Sequence, residues 1–313
     1  MVGDVQIPVI VGPTAGGKSA VAVCLAERLA HRAGGEVVTC DAFQVYRGMD
    51  IGTAKPTNAE RRGIPHHLID LVEPTERYSV QRWLDDADAV MTEIQSRGKV
   101  PIVVGGTHLF VKALLDGLFE GPPGDESLRE ELRALGPKAL RAELEARDPA
   151  TATRLHPNDE RRTVRALEVL RLTGKPISEW QTQWDDGQDS GPLGARRYQL
   201  IGLEWPAEVL NRRINERVRG MIDAGLVDEA RQLHEADRLG PQAREALGYK
   251  QLFPYFEGIV PLDEAVEKIK IETRRFGKNQ RTWLRRLRAK PGSVWIEAEG
   301  RDPQEISQTI AMK

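Results

Sequence analysis

Eight consecutive residues, Gly12-Pro13-Thr14-Ala15-Gly16-Gly17-Lys18-Ser19, fit the pattern GxxxxGK[ST] at every fixed position. Each residue type has a use in holding phosphate. Glycines let the backbone wrap an anion so that successive N–H groups converge on its oxygens. Lys18 adds a point charge, and the Ser19 hydroxyl can bind a Mg²⁺ that bridges phosphate oxygens. Two other short stretches carry groups that can act on a bound phosphate ester. Cys40-Asp41-Ala42-Phe43-Gln44 supplies a carboxylate that can bind metal, act as general base or cap a turn. Gly105-Gly106-Thr107 supplies a glycine pair that lets backbone approach a ligand, and a hydroxyl that can donate to phosphate. A fourth feature is charge. From Lys268 to Lys290, ten basic residues face Glu272 alone, for a net +9, with Phe276, Trp283, Leu284 and Leu287 interleaved. That pattern predicts an amphipathic helix that packs its apolar side on a core and turns its cations outward, toward a polyanion or toward acidic neighbours.

The phosphate loop needs a strand before it and a helix after it. Ile7 to Val11 (IPVIV) is a short β-branched run that ends at Gly12-Pro13, and residues 18–32 place Val21, Leu25 and Leu29 on one side of a helix. Strands are also predicted at residues 36–40, 100–104 and 198–203, a helix at 80–95, and a last strand at 293–296. Strand, helix, strand in this order implies parallel pairing, and the carboxyl ends of such strands are where ligands gather, so Asp41 and Thr107 are expected near the loop. The texture changes at Gly121-Pro122-Pro123-Gly124. Residues 125–183 are helix-rich, and Asp185–Gly194 is a loose stretch before strands resume. The expected architecture is therefore an α/β core of residues 1–119 and 197–313 around a central parallel sheet, interrupted by an all-helical insertion at residues 120–196. The strand before Gly105 does not end in the acid that positions Mg²⁺ in motor and switch ATPases, and Asp70 in His67-Leu68-Ile69-Asp70 is a weak substitute. His66 and His67 read as packed or capping histidines.

Composition narrows the function class. The chain has 313 residues, 45 basic against 47 acidic side chains, 40% hydrophobic and 29% charged residues, which is ordinary for a folded globular protein. No run approaches the roughly 18 apolar residues of a membrane span. Met1 to Val11 carries Asp4 and no basic stretch, so a secretory signal is not expected. Cys24 and Cys40 alone exclude a disulfide scaffold or a cysteine-rich zinc site. A reducing cytoplasm and a monomer are the expected setting.

The stretch Asp41 to Pro56, DAFQVYRGMDIGTAKP, resembles the tRNA dimethylallyltransferase (isopentenyl-tRNA transferase) family. So do GPTAGGKS, Pro65 to Asp70 (PHHLID), VVGGT at residues 103–107, and His156-Pro157-Asn158-Asp159 with Arg161 and Arg162. Arg165 to Glu168 (RALE), Arg213 to Arg217 (RINER) and Leu247 to Gln251 (LGYKQ) complete the likeness over nearly the whole chain. The resemblance implies a P-loop NTPase-like α/β core with a helical insertion that contacts tRNA. It implies transfer of a dimethylallyl group from dimethylallyl diphosphate, with Mg²⁺, to N6 of adenosine-37, just 3′ of the tRNA anticodon. By likeness Asp41 takes the N6 proton, and Thr107 and Arg217 bear on the reacting centre or its diphosphate. Gln44 reads the adenine and Asp41, Ala42, Phe43 and Gln44 line its pocket. Thr107, Arg129, Arg161, Arg162, Arg165, Glu245, Gly248, Tyr249 and Lys250 hold tRNA. Contact of the Lys268–Lys290 helix with the tRNA backbone is an expectation from charge alone. Two departures stand out. Many relatives have Ser where this chain has Ala42, and longer members carry a zinc finger with no counterpart here, so the likeness is to the short bacterial type. Three other functions remain compatible with the residues: a small-molecule P-loop kinase, a transferase acting on free adenine nucleotides, and a non-catalytic RNA-binding protein.

Overall fold

The computed structural model describes residues 6–31, 34–118, 121–180, 193 and 196–310. In chain order the strands and helices begin with β1 (Ile7–Val11), α1 (Lys18–Leu29), β2 (Gly35–Cys40), α2 (Asn58–Arg61), β3 (His66–His67), α3 (Val80–Ser96), β4 (Val100–Gly105) and α4 (His108–Asp116). Five helices follow: α5 (Glu126–Ala134), α6 (Gly136–Arg147), α7 (Pro149–Arg154), α8 (Glu160–Thr173) and α9 (Ile177–Trp180). The chain then forms β5 (Tyr198–Glu204), α10 (Ala207–Asp223), α11 (Leu226–Glu235), α12 (Phe253–Phe256), α13 (Leu262–Leu287), β6 (Val294–Glu297) and α14 (Pro303–Thr309). Two compact units result, one of residues 1–115 with 195–313 and one of 116–194.

The first unit is an α/β layer structure on a six-stranded sheet of order β3-β2-β4-β1-β5-β6, every pair parallel. Parallel strands covered on both faces read as unbroken apolar runs, and β1, β2 and β4 are buried at every position. The core joins Ile10, Ile102, Val104 and Ile201 of the strands to Val21, Leu25 and Leu29 of α1. Register places Val11, Gly105 and Cys40 abreast, so the chain leaves β1, β4 and β2 at one level, side by side. That single fact brings the loops after Val11, Cys40 and Gly105 together.

The second unit has its own apolar core, including Leu132, Leu140, Leu144, Val164, Leu167 and Ile177. At one side of it Glu168, fully buried, accepts from the Asp125 N–H and pairs with Arg129 and Arg165.

The expected strands all form. The first helix ends at Leu29, three residues short of the expected Arg32, where Gly34 N–H closes on the Leu29 carbonyl. β3 was not expected from the sequence, because two residues cannot establish a periodicity. Its histidines are packed: His66 Nδ1 lies 2.9 Å from the Ile64 carbonyl and His67 Nε2 lies 2.7 Å from the buried Glu36 carboxylate. Asp185–Gly194 lies outside the described residues except Leu193. Phe276, expected against the core, is 41% exposed, because the buried face of α13 runs through Gly277, Gln280, Trp283, Leu284 and Leu287 instead.

Candidate active site

The loop after β1 is held from three sides by residues distant in sequence. Lys18 Nζ donates to the Pro13 carbonyl at 2.8 Å, and the Gly16 N–H closes on the same carbonyl at 3.1 Å. Trp205 Nε1 donates to the Gly16 carbonyl at 3.1 Å, and Arg213 Nε donates to the Ala15 carbonyl at 2.9 Å while its guanidinium lies over the Trp205 ring. Gln280, buried on α13, accepts from the Thr14 N–H at 2.7 Å and donates to the Gly106 carbonyl at 2.9 Å. One amide thus straps the phosphate loop to the turn after β4. Only glycine fits at 106, since a Cβ there would stand 2.7 Å from Gln280 Nε2 and 2.9 Å from the Gly12 carbonyl.

Asp41 sits at the end of β2. Its Oδ1 accepts from the N–H groups of Phe43 and Gln44 at 2.9 and 3.2 Å, a local turn that leaves Oδ2 for a ligand. Thr107 Oγ1 accepts from the Ala42 N–H at 3.3 Å, so its own hydroxyl proton is available to donate. Arg217 lies one turn after Arg213 on α10, on the same face. Burial lowers the pKa of Arg217, and the Asp41 carboxylate opposes that shift. Lys18 responds to the same group: burial first, then Arg217, bring it down to about 8, while Asp41 and Cys40 pull upward. Two cations and one carboxylate therefore lie together at half-buried positions, a setting that favours an incoming anion.

Two cavities meet here. One, about 770 Å³, is lined by Thr14 to Ser19 together with Gln44 and Arg213. The other, about 660 Å³, is lined by Ala42 and Phe43, by Ile214, Met221, Phe276 and Trp283, and by Glu245, Gly248 and Lys250. Asp41, Thr107 and Arg217 line both. The first is a phosphate cradle and the second is largely apolar and aromatic, with His108 stacked on Trp283 at 4.9 Å.

The structure brings together the expected Thr14 to Ser19, Asp41 to Gln44, Thr107, Arg217, Glu245, Gly248 and Lys250. Gly12 and Pro13 line neither cavity. Tyr249 departs from the expectation of a tRNA contact: its side chain is fully buried, with its hydroxyl donated to Glu229. Arg129, Arg161, Arg162 and Arg165 belong to the helical unit. Arg161 and Arg162 are exposed there, whereas Arg129 and Arg165 are tied to Glu168. Asp70 is committed to Lys55, whose buried Nζ also reaches Asp50 and the Tyr46 carbonyl, so it is not placed as a metal-positioning acid. Sequence reasoning gave no role to Gln280, Trp205, Lys55 or Arg213. Gln280 alone carried a signal, as the polar member of an otherwise apolar stripe on α13.

Among the described residues no group of three or more His, Cys, Asp or Glu converges to hold a metal. The Ser19 hydroxyl of the loop, together with a phosphate ligand, would suit a Mg²⁺.

Known proteins share the sequence and the fold of this chain. The family model described as IPP transferase matches residues 44–287, and one described as isopentenyl transferase matches residues 5–71. The tRNA dimethylallyltransferase of Geobacillus kaustophilus is 48% identical over 285 residues, covering 90% of this chain and 87% of that protein. That of Geobacter sulfurreducens is 45% identical over 316 residues, covering 98% and 96%. The crystal structure of the tRNA isopentenylpyrophosphate transferase of Bacillus halodurans superposes with a TM-score of 0.68 at 40% identity, covering 97% of this chain and 94% of that one. A eukaryotic dimethylallyltransferase caught acting on tRNA gives a TM-score of 0.78 at 29% identity, covering 95% and 75%.

Proposed function

The chain belongs to the IPP transferase family, and from that premise we propose how its site moves a dimethylallyl group from dimethylallyl diphosphate to N6 of adenosine-37 in tRNA. The enzyme is a tRNA dimethylallyltransferase. The observation that carries the reading is the junction of a phosphate cradle with an apolar cavity at Asp41, Thr107 and Arg217.

The chemistry has one difficulty on each side. Adenine N6 is a poor nucleophile, because its lone pair is delocalised into the ring. An allylic diphosphate compensates by ionising readily once its departing charge is stabilised. Backbone N–H groups at the start of α1, with Lys18 and Arg217, place fixed positive charge where the diphosphate gains negative charge. Ser19 would hold a Mg²⁺, which would supply Lewis-acid neutralisation of that same charge. Asp41 Oδ2 takes the proton that N6 loses as the C–N bond forms. Thr107 holds Asp41 indirectly, by accepting from the Ala42 N–H, and offers its own proton to the ligand.

The acceptor base leaves the anticodon loop to reach this pocket, which costs less for an unpaired base than for one in a duplex. Ala42, Phe43, Glu245, Gly248 and Lys250 line the cavity beside Asp41 and are proposed to contact that base or its neighbours. Gln44 lines the larger cavity and is proposed to read the adenine where the two cavities meet at Asp41: its Nε2 donates to the Thr53 and Ala54 carbonyls, so its Oε1 is the atom left to accept from the N6–H. Residues 120–196 are proposed to hold the tRNA through Arg161 and Arg162, with Arg129 and Arg165 shaping that unit. Residues 1–119 and 197–313 are proposed as the catalytic core. No helix among the described residues is long and apolar enough to cross a membrane; a cytoplasmic monomer is the proposed working form.

Mass spectrometry of tRNA nucleosides after incubation with dimethylallyl diphosphate and Mg²⁺ tests the reading; the expected product is N6-(dimethylallyl)adenosine. Asp41→Ala is expected to lower turnover by about 10³-fold or more while tRNA still binds, as for loss of a general base. Lys18→Ala is expected to cost about 10²–10³-fold, as for loss of one fixed donor to developing charge. Unchanged turnover in Lys18→Ala would sink the phosphate-loop assignment.

A further inference from the structure

Glu229 lines neither cavity, yet its carboxylate is among the most committed in the molecule. It accepts from three successive backbone N–H groups, those of Asp50, Ile51 and Gly52, at 2.9–3.1 Å, and from the Tyr249 hydroxyl at 2.5 Å. Backbone N–H groups converging on one anion fix the local chain direction, because each sets the orientation of its own peptide plane. The two carbonyls that follow this anchored segment, those of Thr53 and Ala54, are the pair that accept from Gln44 Nε2 at 3.1 and 3.2 Å.

We propose that Glu229 is a positioning residue for base selection: by pinning the N–H groups of residues 50–52 it aims the Thr53 and Ala54 carbonyls at Gln44, and so fixes which atom of that amide meets the target base. This rests on the reading of Gln44 as the residue that recognises adenine. A carbonyl can only accept, so two of them facing one side of the Gln44 amide demand the NH₂ there and turn Oε1 to the ligand. Adenine offers an N6–H donor to that oxygen. Guanine offers O6, an acceptor, and is repelled. Released from Glu229, the 50–54 segment no longer presents both carbonyls, the amide can turn over, and the donor-acceptor code loses its sign.

Tyr249 is part of the same device. Its ring packs so closely beneath the loop that a Cβ on Gly52 would stand 2.3 Å from it. Burial first, then the Glu229 charge, push its phenol pKa well up, so the hydroxyl remains a donor to Glu229. Lys55 anchors the other end of the loop through Asp50, Asp70 and the Tyr46 carbonyl, and makes no bond to the N–H groups of 50–52.

The experiment uses anticodon stem-loop RNAs that carry either adenine or guanine at the target position, with dimethylallyl diphosphate binding and the thermal midpoint measured in parallel. In Glu229→Gln, an amide cannot accept all four bonds. The ratio of affinities for adenine over guanine RNA is expected to fall at least tenfold, to near that of Gln44→Ala, with diphosphate affinity within twofold of the starting protein. Tyr249→Phe removes one donor and is expected to lower the ratio two- to fivefold; it decides alone if Glu229→Gln does not fold. In the Gln44→Ala background, Glu229→Gln is expected to add no further loss of preference. A starting-protein ratio in Glu229→Gln and Tyr249→Phe, with the ratio lost in Gln44→Ala, overturns the inference and leaves the reading of Gln44 intact. So does an equal loss of both RNAs and the diphosphate. A starting-protein ratio in Gln44→Ala overturns the reading of Gln44 itself.

Discussion

Lys18 is held at a pKa of about 8 by burial and by Arg217, against the pull of Asp41. That value makes the free site sensitive to pH in a range where most lysines are not. The bound diphosphate favours the charged form, so Lys18 is expected to titrate higher in the complex, and binding takes up a proton where the two forms differ. Diphosphate affinity is therefore expected to be constant below pH 7 and to fall as pH rises through about 8, approaching tenfold per pH unit until the pKa of the complex is reached. Titration calorimetry at pH 6.5 to 9.5 in buffers of different ionisation enthalpy checks both the fall and the proton uptake. In Lys18→Ala the knee near pH 8 is expected to vanish. The chemistry of such residues was legible where it is carried by type and spacing. Gly12 to Ser19 announces an anion cradle because backbone, charge and hydroxyl lie within eight residues. Asp41 and Thr107 became candidates only because the carboxyl ends of parallel strands converge. Gln280 stands out as the polar member of the α13 stripe, but its role was out of reach, since its partners Thr14 and Gly106 are more than 170 residues away.

The elements followed the periodicity of their sequences wherever they were long enough to have one. Ile7–Val11 and Val100–Gly105 are apolar throughout and lie in the interior of the sheet. Two-residue β3 was invisible, and the stop at Leu29 is set by a local turn that closes the Gly34 N–H on the Leu29 carbonyl rather than by a break in the apolar pattern. Helix α13 shows most clearly where periodicity stops short. Its apolar residues cover more of the surface than its buried face does, so Phe276 lies beyond the edge of the packed stripe and lines the cavity instead. Arg275, Lys278 and Arg285 are exposed and, with Arg281, line a groove of about 620 Å³ against Asn211 of α10, whereas Lys270 and Arg274 are half-buried and bond to Glu267. Phosphate contacts release counterions, so their number is readable in the salt dependence of binding. Replacing Lys278, Arg281 and Arg285 together by Ala is expected to weaken tRNA binding and to reduce the slope of log affinity against log salt by roughly 0.7–0.9 for each phosphate that these side chains neutralise. Diphosphate affinity is expected to stay unchanged. A slope equal to that of the starting protein would show that this face of α13 does not meet the RNA.

At the scale of the whole molecule, a net charge of −2 conceals a strongly basic element, so attraction to RNA is a local property of surfaces and not of the chain's total charge. Among the described residues, one large apolar cluster joins the sheet to α1 and a separate one forms among α5 to α9. Units with separate cores can open separately. In the helical unit the weak point is electrostatic. Glu168 is fully buried, receives the Asp125 N–H, and is faced by Arg129 and Arg165. Neutralising the carboxylate leaves two guanidinium groups against a group that no longer balances them, and a buried pair broken on one side costs on the order of 3–5 kcal/mol. Glu168→Gln keeps the shape and removes the charge. Hydrogen exchange is expected to quicken across Glu126–Ala134 and Glu160–Thr173, by a factor set by that free energy, while the amides of β1 and β4 keep their protection. Diphosphate affinity, which depends on the loop after β1, is expected to be unaltered, whereas tRNA affinity falls with the order of the unit that carries Arg161 and Arg162. Faster exchange in β1 and β4 to the same degree would mean that the two units unfold together, and a separate RNA-holding role for the helical unit would have to be abandoned.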